Sequence, residues 1–543
     1  MKTMKYLLIL TLMMAFVGCS NQKPKVEKAV VSTLIEGSPF RGTNGITWGP
    51  DNMIYQGSVW TDGAFIVNPE TGEIRRIEGT HGSDDLAFAP DGRLYFNYIT
   101  RGEVGVRQLN GDMGIAGVVK PGNDGITVSP DGKAVYVSGL FVDTHFWEVD
   151  PDGKKPAKKL FDEHKKMSNA MMFGPDGKLY GSSWVTGEVL RIHPQTGVEE
   201  TVASNVGIPS AVKFNNKGEL FVMNTKEGTI SKVEIKTGAL TLVAKLPYNA
   251  TDNFCFSPDD RLFATSSGDG YIWEVTGVNS QRVVVKGGLG VVGGVAIAEV
   301  KGKSELIVVD IFAIRKFNPK NGKVISALRD VTMATDVGWM LTVNNFGKHV
   351  VTSSWTGGFV KIWDQENDSM IVNFDKFKAP TNAIALGEDI VFCDMQGTVQ
   401  QFSPKAIDPY KTKMLATGLK QPFGLAYDDG NLYVSDELSG NIVQVLEGGI
   451  VIKPKVIAAD INAPQGIALY KGELLVVEAG TGRLLSVSLT DGTSRVVAEG
   501  MEFVHGTQAF DKPLSWARAS IYVSGNTAYI AGTSEGSIYK ITF

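Results

Sequence analysis

Basic excess, cysteine and long apolar runs are all scarce in this chain, and each scarcity excludes something. Lys and Arg number 53 against 58 Asp and Glu, a net charge of -5, which leaves no cationic footprint for a nucleic-acid partner. With 3 cysteines in 543 residues, no disulfide framework holds the fold. Cys255 and Cys393, far apart in apolar strand-like runs, read as buried thiols. The 6 histidines have no zinc-ligand spacing. A Gly-x-Ser-x-Gly elbow, a phosphate loop and a dinucleotide fingerprint are missing too, so serine-hydrolase, NTPase and dehydrogenase chemistry have no support. Helical periodicity is lacking after the first twenty or so residues. The apolar run Tyr6 to Val17, preceded by Lys2 and Lys5, falls short of the roughly 20 residues of a spanning helix and reads as a signal sequence.

That run ends in Phe16-Val17-Gly18-Cys19-Ser20, which resembles the bacterial lipoprotein box, with Phe16 in place of the usual leucine. The resemblance implies a leader over 1–18, lipid on Cys19, a polar tether over 19–29 and an envelope location, with Ser20 compatible with the outer membrane. The alternative is an ordinary secretory signal that ends near a cysteine.

What the chain has in abundance is glycine, 62 residues or about 11%, spread through apolar sequence as an all-β protein of many short strands requires. A unit recurs: a polar-Gly-apolar opening, a Pro-Asp-Gly turn, an apolar strand, then a Thr-Gly turn and another strand. Anchors placed just before the first strand of each unit fall at 44, 84, 124, 169, 210, 252, 293, 336, 382, 423, 465 and 519. The mean step of about 43 is that of a four-stranded propeller blade. The turn aspartates Asp91, Asp131 and Asp176 belong to backbone turns rather than to a site.

Twelve such units are expected to form two tandem six-bladed β-propellers, over 30–277 and 278–543. The chain ends on a third strand, Ser537 to Phe543, and Val30 to Gly37 resembles a fourth strand lacking its first three. Strands that close a ring remove exposed edges. The expectation is that Val30 to Gly37 completes the sixth blade and residues 281–286 the twelfth.

Residues at the anchors converge on the mouth of a central tunnel. In the first ring they are Asn44, Asp84, Asp124, Asn169, Ser210 and Asp252, with Asp85, Asn123 and Asn253 adjoining. The second ring offers Gly293, Asp336, Asn382, Phe423, Gln465 and Ala519, so chemistry points to the first. Converging carboxylates repel unless protonated or neutralised by a cation, and carboxylate with amide oxygens suits calcium. The candidate metal ligands are Asp84, Asp124, Asn169, Asp252 and Asn44. Short polar residues here could instead cap their own turns. Trp60 and Trp184, on the same face, offer rings for a sugar or apolar substrate or simply pack against the neighbouring blade. His81, three residues before Asp84, is a candidate base.

Gly122-Asn123-Asp124-Gly125 and Met167-Ser168-Asn169 resemble motifs of the gluconolactonase and regucalcin family, and Asp84-Asp85-Leu86 and Asp252-Asn253-Phe254 resemble calcium motifs of the related paraoxonases. The resemblance covers about residues 40–280. It implies a divalent metal, often calcium, that polarises a lactone or ester carbonyl while an acid, Asp124 or Asp84, activates water, with Asn123 near the substrate. Asn44 and Ser210 stand where the family carries a glutamate and an aspartate. The alternatives are a lyase similar to the virginiamycin-B lyases, or a non-catalytic binding propeller. The expected partners are a small molecule, such as a sugar-derived lactone, and the membrane through the lipid.

Overall fold

The computed structural model describes residues 29–543 except 62, 140–144, 162–163, 331–335 and 507–515. The leader, Cys19 and all of the tether but its last residue lie outside the described residues. The fold is all-β. A 3₁₀ turn spans Ala479–Thr481, and among the described residues no helix is long and apolar enough to cross a membrane.

The strands form four-stranded antiparallel sheets of β-propeller type. The first comprises Ile46–Trp48, Ile54–Ser58, Gly63–Val67 and Ile74–Ile77. One eight-stranded sheet is two such units joined by a single parallel bridge, Ala170 to Ala211. Alternation of side chains puts Val, Ile and aromatic residues between neighbouring sheets, where Tyr95, Phe96, Phe263 and Trp273 are fully buried. The turn aspartates act as expected: Asp91, Asp131 and Asp176 accept the N–H two residues on, at 3.0, 3.1 and 3.2 Å. Cys255 and Cys393 are free and buried.

The innermost strands start near the expected anchors. In the first half they are Ile46–Trp48, Ser83–Phe88, Asn123–Val128, Ser168–Phe173, Pro209–Phe214 and Thr251–Phe256. Each touches the next, and the last returns to the first. In the second half they are Val292–Val300, Thr342–Phe346, Pro380–Leu386, Pro422–Asp428, Pro464–Tyr470 and Ile521–Ser524, again in a closed cycle. One anchor is corrected: Asp336 lies six residues ahead of Thr342–Phe346, because a longer irregular segment precedes that strand.

The expected closure is also corrected. Strand Val30–Ile35 pairs antiparallel with Ser537–Thr542, from Val30 opposite Thr542 to Ile35 opposite Ile538. It therefore completes the last sheet of the chain and not the sixth. Ser280–Val285 pairs with Ile272–Gly277, its neighbour in sequence, across a turn of Val278 and Asn279. The expected boundary at 277/278 cuts this hairpin. The reason is loop entropy: a strand two residues away forms a hairpin at little cost, which leaves the unpaired edge at Ser537–Thr542 for the N-terminal strand.

The first half is thus inserted between the first strand of the second half and the remainder of it. Its two connections run side by side, with Ser38 N–H donating to Leu289 O at 2.8 Å. A buried ion cluster ties the halves further. Arg315 donates to Asp310 at 3.0 Å and, across the junction, to Asp269 at 2.5 Å, and Arg329 donates to Asp269 at 2.5 Å.

Deleting residues 30–35 should open the second half and spare the first. Burial of Ile35 alone is worth about 1.5–3 kcal/mol, and an exposed edge invites association. Calorimetry should resolve a lowered transition, and limited proteolysis should cleave after residue 292 before it cleaves within 46–285. Preferential cleavage within 46–285 would contradict this pairing.

Candidate functional site

Local irregularity in the inner strands builds the site. Ladder register shifts between Ser83 and Leu86, Asn123 and Ile126, Ser168 and Met171, and Thr251 and Phe254. Such bulges take one or two residues out of the ladder and re-aim their side chains. The residues so released include Asp84, Asp124, Asn169 and Asp252. Gly125 lets the strands approach there: a Cβ on it would lie 2.1 Å from the carbonyl oxygen of Asn169. Asn169 itself takes a left-handed backbone, φ 78°, which asparagine tolerates better than most residues.

Second strands hold the bulges in place. Asn97 accepts from the Asp85 N–H at 2.8 Å and donates to the carbonyls of Asn123 and Asp124. Ser138 Oγ donates to the Asn169 carbonyl at 3.3 Å.

The structure brings Asn44, Asp84, Asp124, Asn169 and Asp252 to one cavity of about 310 Å³, together with Trp60 and Trp184. Asp84 and Asp124 are 6% and 5% exposed and line the cavity together. Burial, and then the charges of Asp124 and Asp252, hold Asp84 well above the usual carboxylate range. Burial pushes Asp124 up to about 7. Asp252 rises to about 8, through burial first and the charge of Asp124 next.

The amide side chains are engaged differently. Asn44 Oδ1 accepts from the Val59 N–H at 3.0 Å, and Asn169 Oδ1 from the Ala170 N–H at 2.7 Å. This is the capping role weighed above, and it commits both oxygens to backbone. Calcium takes 6–8 oxygens. Among the described residues no group of three or more His, Cys, Asp or Glu is spaced to hold a metal ion. As arranged, the acids fit a shared proton better than a calcium shell.

Two candidates stand apart from the cavity. His81 is exposed and does not line it. Asn123 is buried beside it and donates to the Glu103 carbonyl at 3.3 Å, because its side chain precedes the bulge and faces the neighbouring strand.

A roof that no repeat position foretells closes the cavity. Phe312, Trp339 and Trp516, all from the second half, line the same cavity. Trp60 meets them edge-on, at 5.0 Å to Phe312, 5.7 Å to Trp516 and 6.3 Å to Trp339 between ring centroids. The corresponding mouth of the second half is filled. There Arg518 and Glu437, both buried, pair at 2.6 Å, and Gln421 and Gln465 add bonds to Glu437 at 2.8 and 3.2 Å.

The raised acids carry a sign for stability. The folded chain holds protons on them that the unfolded chain releases near pH 4, so their contribution is full below that pH and is lost as pH rises through about 7 to 8. Asp252→Asn removes one such titration. Its thermal midpoint relative to the parent should rise between about pH 5 and pH 8; a constant difference would refute the assignment.

No protein-family model matches the chain, and no curated protein is similar to it. Solved structures that are similar include a virginiamycin B lyase from Staphylococcus aureus, a catalytically inactive form with quinupristin, at 16% identity over 56% of this chain and 100% of that one, TM-score 0.36. A gluconolactonase from Xanthomonas campestris is similar at 18% identity over 44% of this chain and 87% of its own, TM-score 0.36. An extracellular domain of a one component system from B. thetaiotaomicron is similar at 11% identity over 95% of this chain and 83% of its own, TM-score 0.32. At these identities and scores the reading of the site rests on its own geometry.

Proposed function

We propose that the chain is two tandem six-bladed propellers, the first bearing a hydrolytic site for a lactone or related ester and the second closing over it. The observation that carries this reading is the pair of Asp84 and Asp124 carboxyls, buried together in the wall of the aromatic-roofed cavity. Two carboxyl groups that share one proton supply an acid and a base at the same place. Asp124, the acceptor, takes a proton from water. Asp84, the donor, gives its proton to the carbonyl oxygen as the tetrahedral centre forms. Asp252 keeps the pair from ionising together, and the roof excludes bulk water.

A divalent metal, probe case calcium, is the second reading, favoured by the convergence of three acids on one cavity. It would displace the shared proton. An elimination that breaks a C–O bond, and pure ligand binding, are the remaining outcomes. We also propose that the protein is held in the cell envelope by lipid on Cys19, as the residues around it suggest.

The test is turnover of a panel of sugar-derived and alkyl lactones by the full chain. Asp124→Asn keeps the volume and removes the proton acceptor, so hydrolysis should fall by about 10²- to 10⁴-fold. Asp336→Asn, an exposed carboxylate of the second half, should leave it unchanged. Full activity in Asp124→Asn, or equal loss in both, would overturn the assignment. Loss on chelation with recovery in calcium would favour the metal reading, and a product lacking the added water would favour elimination.

A further inference from the structure

The roofed cavity has a chemical bias that a neutral sugar ring does not answer. Among the described residues that line it four are aspartates, and none is Lys, Arg or His. Asp84 and Asp124 are more than nine-tenths buried. In the matching mouth of the second half, Arg518 neutralises Glu437. Here no side chain of opposite sign among the described residues lines the cavity with the acids, although Lys213 acts on Asp85 and Asp252 from outside it.

The other wall consists of rings. Trp60 stands at 89° to Phe312, 81° to Trp516 and 82° to Trp339, while Trp339 and Trp516 lie 5.4 Å apart at 35°. Trp60 stands nearly perpendicular to the other three, so these four lining rings form a corner rather than a flat wall, and ring faces are electronegative. The indole N–H groups of Trp339 and Trp516 are buried without an acceptor among the described residues, and as donors they suit an ester oxygen of the ligand rather than its cation. A corner of aromatic rings beside carboxylates attracts an organic cation.

We propose that the ligand of this cavity carries an ammonium group with alkyl substituents, seated between the rings and the aspartates. The inference rests on reading the cavity as a small-molecule site and names its substrate class: an amine-bearing ester or lactone. Ring faces provide no lone pairs for a metal ion but suit a weakly hydrated organic cation, and a neutral polyol would make no use of them beside the aspartates.

The probe pair is choline and 3,3-dimethyl-1-butanol, in which carbon replaces the ammonium nitrogen and the shape is kept. Binding to the full chain is read by calorimetry and by quenching of tryptophan fluorescence. Choline should bind about tenfold or more tightly than the neutral alcohol. Trp339→Ala and Asp252→Asn should each weaken choline and leave the alcohol nearly unchanged. Trp339→Phe, which keeps a ring, should retain most of the affinity and guards against a folding defect in the alanine variant. Equal affinity for both probes, or no binding of choline at 10 mM or so, would overturn the proposal. Because neither probe is an ester, choline binding without any lactone turnover would reject the hydrolase and keep the cation site. Turnover of neutral lactones without discrimination between the probes would do the reverse.

Discussion

An unpaired strand edge is what the architecture has to remove, and the way it is removed fixes everything else. The final sheet has three strands of its own, Ile521–Ser524, Thr527–Gly532 and Ser537–Thr542, and its open edge is filled from the start of the chain. That pairing makes the first half an insertion, held at both of its ends by the second. Two connections lying side by side limit how far the halves can swing. The Arg315–Asp269–Arg329 cluster limits it further, since a charge buried at that junction is tolerable only while its partners stay in place. The relative position of the halves is therefore a consequence of closure, and the aromatic roof depends on that position.

The acids depend on a second constraint. Both halves repeat the bulge at the start of the inner strand, as the register shifts at Pro422 to Leu425 and Pro464 to Ile467 also show. The backbone device is common to both; what differs is the side chain it releases. In the first half it turns out aspartates whose burial and mutual repulsion raise their proton affinity. In the second it turns out Phe423 and Gln465, and Gln465 is bonded into the Glu437 network. The same backbone thus yields an open, charged cavity in one half and a filled mouth in the other.

Much of this was legible in the sequence. Turn residues fix the repeat, and eleven of twelve anchors fall within two residues of the start of an inner strand. Asp84, Asp124, Asn169, Asp252 and Trp60 meet in one cavity as their repeat positions imply. The closing partner was not legible, because Val30–Ile35 fits any fourth-strand edge by pattern and only the competing hairpin at Ser280–Val285 decides between them. Nor was the roof. Trp339 and Trp516 lie in irregular segments where no periodicity operates, and Phe312 sits in a turn between strands; they reach Trp60 only through the packing of one half on the other. The engagement of Asn44 and Asn169 with their own backbone is a matter of side-chain rotation, which residue type alone leaves open.

The packing of one half over the cavity of the other then has a physical rationale. A tunnel mouth facing water would hydrate its acids and let them ionise near their ordinary range, with little to orient a substrate. Covering it with Phe312, Trp339 and Trp516 lowers the local polarity, which raises the proton affinity of the acids and strengthens whatever electrostatic contact a ligand makes with them. These three residues belong to the second half. The cover comes from irregular segments of that half, the regions most free to change without disturbing a ladder. Acids and roof are therefore separable in sequence and joined in space: the acids set the chemistry and the roof sets what can enter.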